Sequence, residues 1–84
     1  LIYSIGSEGN YDFENAIAPL GCAIHTFDCT GDFAPGAPEA VQFHKWCVGG
    51  ADQLEKSILT IPGMMKKLEH TRIDFLKMDV EGAE

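Results

Sequence analysis

The sequence predicts an α/β fold built on an open parallel sheet, and three observations carry that expectation. Short apolar runs alternate with helical or loop segments in the order strand, helix, strand, loop, strand, helix, strand. The last run, Ile73–Val80, is apolar on both faces, the mark of a strand buried within a parallel sheet. Glycine or acidic residues follow each run, at Gly6–Asn10, Asp28, Gly49–Asp52 and Asp79–Glu84. Parallel strands with right-handed crossovers bring those four points to one end of the sheet, where open α/β sheets bind ligands.

Each element has its own signal. Leu1–Ile5 is the first strand and stops at Gly6. Phe13, Ala16, Ile17 and Leu20 recur at i, i+3, i+4 and i+7, an apolar helical stripe with Asp12 as N-cap and Gly21 as stop. Ala23–Phe27 is the second strand, closed by Asp28. Residues 29–40 hold Gly31, Pro35, Gly36 and Pro38 and read as a loop with at most one helical turn. Val41–Val48 is the third strand, where Val41, Phe43 and Cys47 alternate with Gln42, His44 and Trp46 as on a sheet edge. Ile61, Met64, Met65 and Leu68 define the second helix, with Thr60 and Pro62 suited to its first turn and both methionines as core filler. The expected strand order is 3-2-1-4, with strand 1 central and strand 3 on an edge.

Length and composition narrow the function. The 84 residues suffice for one small domain. A chain that opens without methionine and stops just after a buried strand is expected to be the N-terminal part of a larger domain. Expressed alone, residues 1–84 are expected to be insoluble or molten. The net charge of −7 argues against nucleic acid and against an anionic membrane surface. No stretch is long or apolar enough to span a bilayer. Cys22, Cys29 and Cys47 fit no metal-binding spacing, and Cys22 and Cys29 flank one extended segment too long to bridge. Free thiols in a reduced compartment are expected, which favours the cytoplasm.

Gly6-Ser7-Glu8-Gly9 lets the chain turn tightly and lets a ligand approach the backbone. Asp28 lies 19 residues beyond Gly9, near the roughly 20-residue offset at which an acid accepts hydrogen bonds from a ribose diol. Together these favour a nucleoside-containing cofactor over a plain turn. Glu8 and Asp12 would repel a pyrophosphate, and the full GxGxxG is absent. S-adenosylmethionine, cationic at sulfonium and ammonium, suits an acidic pocket. Asp79 and Glu81, two residues apart after a buried strand, form either a functional turn or a solvated cap of the next helix. His25 and His44 fall on adjacent strands and are read as satisfied sheet histidines; Trp46 packs under a helix or over the sheet edge.

Ile73-Asp74-Phe75-Leu76-Lys77-Met78-Asp79-Val80-Glu81-Gly82-Ala83-Glu84 resembles the hallmark segment of FkbM-type methyltransferases, a strand followed by D-V-E-G-A-E. Tyr3-Ser4-Ile5-Gly6-Ser7-Glu8-Gly9 is similar to their first motif, and His25-Thr26-Phe27-Asp28 to the end of their second strand. The resemblance implies a Rossmann-like class I methyltransferase fold, S-adenosylmethionine as donor and a hydroxyl oxygen on a small-molecule or glycan-like acceptor. By the same resemblance Gly6, Ser7 and Gly9 line the methionine and ribose portion, and Asp28 holds the ribose hydroxyls. Gly50 to Asp52 lie near adenine, and Asp79 and Glu81 face the methyl group and substrate. Many methyltransferases carry an acid where Ser4 stands, so the cofactor's methionine end is left to Glu8 or Asp79. Two rivals share the sheet: a nicotinamide-dependent oxidoreductase, and a binding module that has lost turnover.

Overall fold

A computed structural model describes residues 1–6 and 10–78. Six strands and two helices occur among them: β1 Ile2–Ile5, α1 Asp12–Ile17, β2 Ile24–Phe27, β3 Val41–His44, β4 Cys47–Val48, β5 Ile58–Leu59, α2 Ile61–Lys67 and β6 Phe75–Met78. The main sheet is parallel in the order β3-β2-β1-β6, the order expected from sequence. Its strands are each four residues long.

Alternation along the strands sorts side chains onto two faces. Ile2, Ile24 and Val41 are in register on one face and join Tyr11 in a core under α1. Tyr3, Ile5 and Phe27 lie on the other and pack with Leu59 and Met64 under α2. One helix on each face is the doubly wound arrangement. Met64 is fully buried, and Met65 packs beside it, as expected. Trp46 stacks on His44 at 4.6 Å and lies beneath Lys67 of α2, so it covers the sheet edge and sits under a helix at once.

Several expectations need correcting. Val41–Val48 is not one strand: it breaks at Lys45–Trp46, and Cys47–Val48 pairs in parallel with Ile58–Leu59 as a separate small sheet. Tyr11, not Asp12, holds the N-cap position of α1; Asn10 Oδ1 accepts from the Asp12 amide at 3.0 Å. The stripe of α1 is rotated, because the helix tightens to a 3-10 turn at Ala18–Leu20 around Pro19. Leu20 is consequently 75% exposed, while Tyr11 and Glu14 are buried. Gly21 ends this segment at φ 79°, as expected.

The final strand is not covered on both faces among the described residues. Phe75 and Leu76 remain largely exposed, since α1 reaches β6 with the single ring of Phe13, stacked on Phe75 at 5.8 Å. Finally, Cys29 and Cys47 form a disulfide, their Cα atoms 4.9 Å apart, whereas Cys22 is free. The expectation of three free thiols fails because the β2–β3 crossover folds its start back beside β4. No helix among the described residues is long and apolar enough to cross a membrane.

Candidate functional site

The carboxyl ends of the strands are stitched together one after another. The Gly6 amide donates to Phe27 O at 2.9 Å, and the Asp28 amide donates to His44 O at 3.1 Å. Gly6 takes φ 85°, the left-handed region that a side chain would resist. Gly6 and Asp28 therefore adjoin at the central strands, on the side where the order reverses between β1 and β6. Asp28 is 4% exposed, and its Oδ1 accepts from the Thr30 amide at 2.8 Å and the Thr30 hydroxyl at 2.6 Å. That Asx turn locks the carboxylate at the strand end. Ser7, Gly9, Asp79 and Glu81 lie outside the described residues.

The surroundings are acidic. Tyr11 donates its hydroxyl to Phe33 O at 2.9 Å. Burial, and then the charges of Glu14, Asp28 and Asp32, push its pKa upward. A phenol that senses three carboxylates beside the strand ends reports a negative potential there.

Asp52 is held at the start of α2. Its Oδ1 accepts from the Thr60 amide at 2.7 Å and the Thr60 hydroxyl at 3.0 Å. Thr60 in turn accepts from the Gly63 amide, which caps α2. A Cβ at Gly63 would collide with the Asp52 carboxylate, so glycine there permits the clasp. Asp52 also borders a cavity of about 390 Å³ with Leu54, Leu59, Gly63, Lys66 and Lys67.

On the α2 face, His25 Nδ1 and His44 Nε2 share a hydrogen bond of 2.8 Å, and Tyr3 Oη and His70 Nδ1 share one of 2.6 Å. Desolvation, with His44 and His70 nearby, lowers the pKa of His25 to about 4. Burial and His70 lower that of His44 as well. The pair is thus held neutral, one ring donating and the other accepting, as satisfied sheet histidines. No cluster of three or more histidine, cysteine or acidic side chains among the described residues is arranged to hold a metal.

Sequence reasoning missed Glu14. Its signal is the spacing Tyr11, Glu14, Ala18, which puts a carboxylate inside the stripe that α1 buries.

A family model described as "Methyltransferase domain" matches residues 1–84, and the chain belongs to that family. No curated protein and no solved structure matches. The chain is a methyltransferase domain with a Rossmann-like parallel sheet.

Proposed function

We propose that this domain transfers a methyl group from S-adenosylmethionine to a hydroxyl oxygen of a small-molecule or glycan-like acceptor. The observation that carries the cofactor is the abutment of Gly6 and Asp28 at the carboxyl ends of β1 and β2, inside an acidic surround. A tight glycine turn beside a fixed carboxylate fits a nucleoside with a cationic tail and repels a pyrophosphate. The D-V-E-G-A-E run at residues 79–84 supports the FkbM-type branch and the oxygen acceptor. The Cys29–Cys47 bond supports an oxidising compartment rather than the cytoplasm.

In this reading the cofactor supplies an activated methyl when bound. The chain's work is alignment and exclusion of water, which contributes roughly 7–11 kcal/mol in well-oriented reactions. Asp28 accepts from the ribose hydroxyls, and Gly6 lets the backbone approach. Asp79 or Glu81 takes the hydroxyl proton of the acceptor as a base of modest strength.

Calorimetric titration with S-adenosylhomocysteine and NAD tests the reading. Tighter binding of NAD overturns it. Asp28→Ala is expected to cost about 1.5–3 kcal/mol of S-adenosylhomocysteine affinity; a dissociation constant changed by less than a factor of two removes the ribose assignment.

A further inference from the structure

Glu14 is a carboxyl group in an unexpected place. It is 0% exposed on α1, and Thr26 donates its hydroxyl to Oε2 at 2.9 Å. Among the described residues Oε1 meets no donor, and neither does the fully buried hydroxyl of Ser4, which stands opposite Thr26 on β1. A carboxylate removed from water needs a compensating charge nearby. The salt bridges among the described residues join Asp74 to Arg72 and to the Leu1 amine, and none reaches Glu14. Lys77, the other register neighbour of Ser4, holds its ammonium over the Phe13 ring at 5.4 Å.

The location indicates what balances it. Ser4 comes two residues before Gly6 and Thr26 two before Asp28, so Glu14 lies beneath the two strand ends that adjoin at the candidate site. Its field already reaches that region, since it is the leading charge acting on Tyr11. A cation arriving above those strand ends is the counter-charge the described residues do not provide.

We infer that Glu14 is a positioning residue: a buried counter-charge, tethered by Thr26, for the cationic methionine end of the cofactor. This rests on the S-adenosylmethionine reading. Being wholly buried, Glu14 acts through space, so it discriminates between the two ends of one ligand. The adenosine end is indifferent to it, whereas the ammonium and sulfonium are not.

Titration of the wild-type protein and Glu14→Gln with S-adenosylmethionine, S-adenosylhomocysteine and 5′-methylthioadenosine tests this. Glutamine keeps the acceptor for Thr26 and removes the charge. S-adenosylmethionine, which is net cationic, should weaken about tenfold, the effect of one charge acting across roughly 10 Å at an effective dielectric near 20; S-adenosylhomocysteine, whose ammonium is offset by its own carboxylate, should weaken by less. 5′-Methylthioadenosine, which lacks the amino-acid group, should change by less than twofold. Equal weakening of all three reveals a merely structural role and overturns the inference; no weakening reveals a neutral carboxyl and does the same. A wild-type protein that binds none of the three overturns the cofactor reading itself. Should a melting curve show that Glu14→Gln does not fold, Thr26→Val carries the test. There the charge remains untethered, and a loss confined to the two amino-acid-bearing ligands is expected; an equal loss for all three, or none, overturns the inference.

Discussion

The two faces of the main sheet are built from alternate residues of the same strands, yet they solve opposite problems. Toward α2, Tyr3, His25, Phe27 and His44 form a continuous aromatic stack, with Tyr3 and Phe27 at 4.8 Å and His25 and His44 nearly coplanar at 5.1 Å. Toward α1, the neighbouring positions Ser4 and Thr26 are small hydroxyls that leave room for a carboxylate. The aromatic face excludes charge and keeps its histidines neutral. The hydroxyl face buries a carboxyl group. A shift of one residue in register would exchange the two, so the alternation fixes which side of the sheet supports the candidate site.

The largest expected effect breaks the aromatic face. Phe27→Ala should cost about 3–5 kcal/mol, whereas Ile24→Val on the α1 face should cost about 0.5–1.5 kcal/mol. Denaturant melts of both variants measure this, and equal losses would erase the contrast between faces. Next is the disulfide at the rim of the stack. Cys29→Ser with Cys47→Ser should remove about 3 kcal/mol, as expected for a closed loop of this size; an unchanged midpoint would show that Trp46 and β4 hold that rim unaided.

Acid should also strike the aromatic face. His25 titrates at about 4 in the fold against 6.5 in the unfolded chain, so between those values the unfolded chain binds more protons. Stability from this group is full above pH 6.5, declines as pH falls towards 4 and then levels, by about 1.4 kcal/mol per pH unit at most. The lowered pKa of His44 acts in the same direction. Melting temperatures from pH 8 to 4 should show that decline, and His25→Phe should flatten it; an undiminished decline would locate the acid sensitivity elsewhere. The smallest effect lies off both faces. Thr60→Ala should cost about 1 kcal/mol by removing the cap of α2, read as a lowered melting temperature with the pH profile unaltered.

The strand order was legible because the strands are short apolar runs, the first two stopped by Gly6 and Asp28, and such punctuation depends on local backbone geometry. What was hidden depends on distant residues. Ile58–Leu59 is too short to announce itself as a strand, and it exists because Cys47–Val48 pairs with it. The Cys29–Cys47 bond joins residues on either side of a crossover, where no spacing rule applies. Glu14 lies off the apolar stripe of Phe13, Ala16, Ile17 and Leu20, and its burial rests on contacts with β2 through Thr26. At the candidate site, the hydrogen bond from the Gly6 amide to Phe27 O sets Gly6 beside Asp28. Asp52 sits in the clasp of α2, where its carboxylate accepts from the Thr60 amide and hydroxyl while the Gly63 amide donates to Thr60.

The disulfide has one more consequence, which concerns assembly rather than stability. Cys29 precedes β3 and Cys47 follows it, so the whole of β3 lies inside a covalent ring. Among the described strands β3 borders the sheet beyond β2, with an open row of amides and carbonyls. A free strand in that place can peel off and pair with a neighbouring molecule. A ringed strand leaves only with its ring, and the ring is anchored at one end to Asp28 and at the other to β5. Oxidation therefore closes the route by which two copies would trade this strand, and reduction reopens it.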